Sequence, residues 1–476
     1  MTGSLIQIIS KGPQDDFLTG NPQISYFKSL HKKHTNFASQ LIENQSNENI
    51  SKSSLSNLSY DIVKYGDLVH KIYVRIKTFI KHTLITTTQF KLQSLNHITL
   101  NITTTLQNND SIYFTQDYYY KDNNQYIKII NKNEFYKIIN IDSNTYQIFN
   151  QSGINNFSAL QLLYTKSNSD YLPITTNIDF YKVNQSFNKD ITNILKEVEV
   201  EIGNIRIDKH YSQYYDLYNQ FFEDNHNYRY SLAQGKNHNL LNNIPGYSEC
   251  INYIPLRFWF NKDIGMSIPL ASLQFTDVKI KLVIDPTIAN DIEVKESTLL
   301  INYIFLDEDE RSKFLRADHE FVIEQLQISG PESHNPVSLS FNHPVKSLFW
   351  NIYDANYDSV SLLCNNHYVF DNTSDYFHLI QPYETECYNK FTFNTTNRTW
   401  NFGRFRTSDS YNSSMYSFCL RPKHSHPSGS LNFSKIDDAI LDFKNISKTS
   451  YSIYVFAVNY NVFKIVNGLA GLLYTY

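Results

Sequence analysis

Between Lys196 and Ile207 apolar and charged residues alternate: Val198, Val200 and Ile202 hold one parity, and Glu197, Glu199 and Glu201 hold the other. Successive side chains of a strand point to opposite faces, so this spacing predicts a strand with one buried and one wet face. Gly203 and Asn204 interrupt it and Ile205 and Ile207 resume it, which predicts a two-residue hairpin or a bulge. Val278, Ile280, Leu282 and Ile284 alternate with Lys279 and Lys281 in the same manner. Tyr451 to Val466 is apolar at both parities, so it reads as a central strand covered on both sides.

Helical signals are few. The best is Asp307 to Leu315, acidic at its start and basic later, as the helix dipole prefers. Strand-like Asn302–Leu306 precedes it and strand-like His319–Glu324 follows, so it marks a junction. Many short strands with few helices indicate a sandwich or barrel. A chain of 476 residues fits two or three domains, and two eight-stranded sandwiches in tandem are a natural solution. Aromatic content is 15%, almost all Tyr and Phe, and Gly and Pro are scarce. That composition favours strands joined by polar turns; an AT-rich genome would produce the same bias. Residues 82–178 stand apart. Turn clusters at 108–111, 121–124 and 142–144 separate β-type runs such as Tyr126–Ile130 and Tyr136–Ile139, which read as short hairpins. This stretch is expected to be a small β module inserted in a loop of the first sandwich, where closure costs little entropy.

Charge and motif content argue against most chemistries. There are 42 basic and 46 acidic residues, a net −4, and no arginine-rich arm, so no direct nucleic-acid contact is expected. Cys250, Cys364, Cys387 and Cys419 lie far apart and form no CxxC, which fits reduced thiols. The first nine residues are apolar but lack a basic n-region and a long h-region, so no signal peptide is expected. No stretch approaches the ~18–20 apolar residues of a membrane span. His31-Lys32-Lys33-His34 reads as a solvated basic patch, and His424-Ser425-His426 lies in a Pro/Gly loop with no carboxylate beside it. His319-Glu320 begins no HExxH, since Ile stands at 323. GxSxG, Walker A and GxGxxG are absent. No catalytic residue, metal site or cofactor is expected.

The segment Asp15 to Lys28, running on to His34–Ala38, reads as a turn that launches a strand. Gly20 and Asn21 tolerate positive φ, and Pro22 fixes φ and pushes Asn21 out of the helical region. Ile24 and Tyr26 favour a half-buried pleated surface. This segment resembles the N-terminal signature of the major capsid proteins of large icosahedral double-stranded DNA viruses, the phycodnavirus, iridovirus and giant-virus group. Val200–Tyr211, with Asp208-Lys209-His210, resembles a second block of that family. Ile254–Phe260 with Gly265–Phe275, Asp307–Gln327, Leu339–Lys346, Pro427–Ser434, and Tyr460–Val462 through Gly468–Leu472 resemble others. Arg257, where an apolar residue is usual, and Ser272, where Ile is common, depart from the pattern, and the loops of the second domain are short.

The resemblance implies an all-β double jelly roll, two tandem eight-stranded sandwiches with the β module in the first. Its expected parts are an N-terminal arm over 1–19, a first jelly roll over 20–306 carrying the 82–178 insertion, and a second over 307–476. It implies a homotrimer with a pseudo-hexagonal outline that tiles a virion capsid beside neighbouring capsomers. Minor capsid proteins and the inner viral membrane would be further partners, with assembly in the host cytoplasm. The residues singled out are structural: Gly20, Asn21 and Pro22 at the start of a strand, Asp208, Lys209 and His210 after the hairpin, Pro269 at another strand start, and Asn342, His343 and Pro344. Turn geometry and core packing account for each of them singly. A minor capsid paralogue, a receptor- or glycan-binding jelly roll, and a metal-dependent cupin-type enzyme are the competing readings, the last weakened by the lack of a clustered His/Glu set.

Overall fold

The computed structural model describes residues 12–27, 29, 33–46, 48–52 and 54–87. It then describes chiefly strand residues from 90 to 183, followed by residues 191–222, 247–288, 292–387, 393–394, 399–400 and 413–474. The first eleven residues of the expected arm, His31-Lys32, and the tips of the three turn clusters lie outside the described residues.

Two sandwiches dominate. The first is built from β1 (Phe37–Gln45), β2 (Ser56–Asp61), β3 (Leu68–Lys81), β4 (Leu195–Ile202), β5 (Ile205–Tyr211), β6 (Tyr247–Pro255), β7 (Val278–Ile284) and β8 (Ile292–Leu306). One sheet runs β1-β8-β3-β6 and the other β5-β4-β7-β2, all antiparallel. Their inner faces meet in one core, where Leu58, Tyr60, Val198, Val200, Ile280 and Leu282 face Val74, Ile76, Ile254, Leu299 and Ile301. Each fully buried side chain of this kind is worth about 1.5–3 kcal/mol.

The second sandwich holds β9 (His319–Glu332), β10 (Val337–Ser338), β11 (Pro344–Tyr353), β12 (Ser359–Cys364), β13 (His367–Thr373), β14 (Ser413–Ser417), β15 (Ala439–Lys444) and β16 (Ser452–Val466). Its sheets run β9-β16-β11-β14 and β10-β15-β12-β13. Position for position, this is the order of the first sandwich. Even a minor feature repeats. A two-residue strand, Ile268–Pro269, pairs with the start of β3, and Leu431–Asn432 pairs with the start of β11. This order, repeated twice, is the double jelly roll. The Glu308–Arg316 helix joins the two units; its N-cap Asp307 accepts from Glu310 N at 2.8 Å, and Arg311 reaches back to Asp67 at 2.9 Å.

The hairpin at Gly203-Asn204 is both of the things its sequence suggested. Both residues have positive φ, 60° and 62°, as a two-residue turn matched to strand twist requires, and a bulge follows between Val200 and Glu201. The expected wet face of β4 is not wet. Glu197 and Glu199 are half-buried and Glu201 is buried. The reason is cross-strand: Glu201 is paired with Lys281 of β7, and Lys209 of β5 reaches Glu197 at 2.8 Å, so neighbouring lysine stems cover the carboxylates.

The opening segment also differs from expectation. Gly20, Asn21 and Pro22 follow the short Asp16–Thr19 helix and start no strand; Ile24, Tyr26 and Phe27 are 60%, 91% and 101% exposed. The first strand begins at Phe37 because its partner runs out. Phe37 pairs with Leu306, the last residue of β8, so nothing upstream has an edge to join.

Between β3 and β4 lie eleven further strands, from Thr83–Thr87 to Ile178–Val183. Among the described residues they pair only with one another. Gln125–Ile130 forms a hairpin with Tyr118–Asp122, and Phe135–Asp142 forms one with Thr145–Ile148. The last strand runs past the expected edge at 178 because it pairs with Thr83–Thr87, which closes the insertion at its root. Phe114 packs with Tyr118, Tyr136 and Phe180 in a small core of its own.

Candidate functional site at the seam between the sandwiches

β16 is apolar on both faces because each face has a different partner. Ile453, Val455 and Ala457 point into the second sandwich with Leu348, Trp350 and Ile352. Phe456 and Val458 point the other way. They meet Tyr214, Leu217 and Phe221 on the Ser212–Phe221 helix of the first unit, together with Leu326 and Phe349. Tyr214 lies 5.9 Å from the Phe456 ring and 6.4 Å from Phe349. Further along, Ile323, Phe463 and Ile465 join the core of the first sandwich, with Trp259 6.0 Å from Phe463. The outer face of one second-unit sheet is thus sealed by the first unit.

Polar groups register the two units. Asp208 Oδ1 on β5 accepts from Leu326 N on β9 at 2.9 Å, and Gln325 donates its side-chain N–H to the Ile207 carbonyl. His210 Nε2 stands 3.0 Å from Asp208 Oδ2, and its ring stacks on Phe258 at 4.3 Å. Asp208 and His210 are both buried; they lie within β5 as part of the seam, while Lys209 between them points to Glu197 on the other face. Pro269 is buried in its two-residue strand against β3 and opens no longer strand. Asn342, His343 and Pro344 form the turn into β11. Asn342 exchanges two hydrogen bonds with the Gln327 side chain at 2.7 and 3.0 Å, His343 has φ 67°, and its N–H donates to Ser434 Oγ at 2.7 Å. Gly20, Asn21 and Pro22 lie exposed and outside this region.

The centre of the seam is an ionic triad, with Glu324 and Lys346 buried and Lys262 half-buried, that spacing in the sequence does not reveal. Glu324 of β9 receives Lys262 Nζ at 2.5 Å and also Lys346 Nζ of β11, which donates besides to the His424 carbonyl at 2.7 Å. Glu324 is 6% exposed and Lys346 1%. Burial disfavours the Glu324 carboxylate, but the two ammonium groups outweigh it and hold its pKa below the usual value. Burial also opposes charge on Lys262, yet Glu324 and the neighbouring phenols raise its pKa; on Lys346 burial prevails and lowers it. The one available signal was a lone charge inside an apolar strand, Glu324 in Phe321–Ile328 and Lys346 in Val345–Trp350. Aromatic rings line the triad: Tyr218 lies under Arg257 at 4.9 Å and Lys262 at 5.7 Å. Arg257 therefore departs from an apolar pattern for a stacking partner. Ser272 has one too, donating to the Phe314 carbonyl at 2.8 Å, 3.1 Å from His319 Nε2. His319 and His424 enter the structure through these contacts. The four cysteines are buried and unpaired to each other, and burial pushes the Cys387 thiol up to about 11.

This arrangement holds two rigid boxes in one orientation. Among known families, the major capsid protein N-terminus matches residues 25–191 and 173–307, and the large eukaryotic DNA virus major capsid protein matches 352–471. The major capsid protein of Pyramimonas orientalis virus is 30% identical, with 100% of both chains covered. That of Paramecium bursaria Chlorella virus 1 is 25% identical, again with 100% of both covered. In structure, the chain aligns with the PBCV-1 virus capsid at a TM-score of 0.61 and 21% identity, over 95% of this chain and 100% of that one. It aligns with the Faustovirus major capsid protein at 0.54 and 12%, over 96% and 95%.

Proposed function

The chain belongs to the major capsid protein family of large eukaryotic DNA viruses, and from that premise we propose that three copies close into a capsomer of pseudo-hexagonal outline that tiles an icosahedral shell. It is a structural protein of the capsid, not an enzyme. The observation that carries the trimer is the repeated strand order of the two sandwiches, held in one orientation by the seam. Two similar lobes per chain give six per trimer, a shape that packs on a flat facet. Rigid sandwiches with short protected edges suit it, and an obligate contact of this kind buries more than ~2,000 Å².

The 1–19 arm and the stretch between it and β1 support contacts beyond the trimer. Leu18, Tyr26 and Phe27 are 88%, 91% and 101% exposed, and no described residue of their own chain covers them. In this reading the arm lies on the inner side and meets neighbouring capsomers, minor capsid proteins or the inner membrane, in particles assembled in the host cytoplasm. Arg257 and Ser272, which depart from the family pattern, each serve the packing of this chain. Light scattering on the purified protein tests the proposal. A mass three times 55.7 kDa at micromolar concentration is expected; a stable monomer overturns it.

A further inference from the structure

The insertion between β3 and β4 carries an organised face of four tyrosines and two lysines. Strand register puts Tyr119 opposite Tyr164, Lys121 opposite Tyr126 and Lys166 opposite Tyr171, across four adjacent strands. Alternation then places all six side chains on one side of that sheet. Tyr126 and Tyr171 stack at 4.0 Å with 2° between their planes; Tyr119 meets Tyr171 edge-on at 5.1 Å, and Tyr164 meets Tyr126 likewise at 5.1 Å. All four rings are half-buried, so mutual contact fixes them while part of each stays open to solvent. Lys121 and Lys166 are exposed, with Nζ 5.7 and 5.5 Å from the Tyr126 and Tyr171 rings. Among the described residues neither forms an ion pair.

We propose that this tyrosine floor with its two rim lysines is a binding site for an acidic polysaccharide. Rings fixed by mutual stacking, each partly exposed, offer an amphipathic surface at small entropic cost, which suits a sugar ring. The phenol hydroxyls and ammonium groups at the rim suit its hydroxyls and its carboxylate or sulfate groups. The charge of the insertion selects against nucleic acid, the other polymer that stacks on such floors. Residues 82–183 contain seven lysines and seven Asp and Glu residues, so they are neutral and lack the basic footprint that phosphate backbones require. A neutral body with two lysines at one place, neither ion-paired among the described residues, fits a sparsely charged chain better than a densely charged one.

The test uses the full-length protein, titrated with alginate oligosaccharides, dextran sulfate, neutral dextran and a thymidine oligonucleotide. Saturable binding to at least one acidic polymer is expected, weakening with salt, with neutral dextran bound more weakly. Lys121→Gln/Lys166→Gln, changed on exposed stems that leave the fold intact, should weaken that binding about 3- to 10-fold and flatten its salt dependence. Tyr126→Ala/Tyr171→Ala should remove it, with the mass of the assembled protein unchanged. No saturable binding to either acidic polymer overturns the proposal. So does binding that both variants leave intact, or an oligonucleotide bound more tightly than both acidic polymers.

Discussion

Lys262 reaches from the first sandwich to Glu324 of the second, its Nζ 2.5 Å from Oε2, and Lys346 shares the same carboxylate from the opposite oxygen. One buried anion thus separates two cations. Glu324→Gln leaves the two lysines facing each other without compensation. We expect a loss of about 3–5 kcal/mol, the scale for breaking a buried ion pair from one side. The midpoint of urea unfolding, followed by tryptophan fluorescence, measures it. A change below 1 kcal/mol would refute the view that the triad is closed to solvent.

The same carboxyl gives a pH dependence of known sign. Its pKa in the folded protein lies below the ordinary 4.5, so the unfolded chain takes up the proton first as pH falls. The stabilisation is complete above 4.5 and is lost as pH drops through the lower folded value. Other carboxylates titrate nearby, so the useful quantity is the difference between the parent protein and Glu324→Gln. That difference should be constant around neutral pH and shrink below 4.5. A gap that widens on acidification would contradict the assignment.

The hairpin after β16 fits closely against the first sandwich. Gly468 has φ +79°, and a Cβ there would stand 2.9 Å from Phe275 Cδ2 and 3.1 Å from Gln274 Cβ, while Phe275 N donates to the Gly468 carbonyl at 3.2 Å. Gly468→Ala should cost about 1–2 kcal/mol from backbone conformation alone, and more from the displaced ring. Gly471→Ala, with nothing within 4 Å of the added atom, should stay within about 0.5 kcal/mol. Parallel thermal melts of the two variants decide the matter; equal effects would mean that the seam yields freely at this point.

In the second sandwich Trp350 is fully buried, and its Nε1 donates to Tyr357 OH at 2.9 Å; that hydroxyl also meets Ser414 Oγ at 2.7 Å. Tyr357→Phe keeps the ring and orphans the indole N–H. A loss of about 1–3 kcal/mol is expected, against a nearly unchanged value for Tyr368→Phe, a residue that is 66% exposed. Denaturant titration of both variants provides the comparison.

Much of the architecture was legible because period-two patterning survives in single strands. The runs at 198–202 and 278–284 are strands, the acidic segment after Asp307 is a helix, and the two-sided apolar run near the C-terminus is a central strand. The failures have a common cause: a strand needs a partner, and local sequence does not name one. Ile24, Tyr26 and Phe27 carry strand-like residues, but β8 ends at Leu306 and offers them no edge. Glu199 looks wet until Lys209 and Lys281 are seen to flank it in register. The seam was the hardest part. Lys262, Glu324 and Lys346 are 62 and 22 residues apart in succession, and only the fold brings them together. Asp208 and His210 were singled out from a family block, while their reach to Leu326 depends on how the second unit docks.

The two faces of β16 set an order of events during synthesis. β8 is complete at residue 306, so all eight strands of the first box are synthesised before β9 begins at His319. Tyr214, Leu217 and Phe221 meet Leu326 and Phe349 first, and their cover is complete only once residues 456 and 458 emerge. From the end of their helix at 221 to Leu326, about 100 residues of translation and some five to twenty seconds at cellular rates, a half-made chain carries an oily helix without its second-unit partners. That interval is when neighbouring nascent chains are most prone to stick to one another, and when a holdase would do the most good.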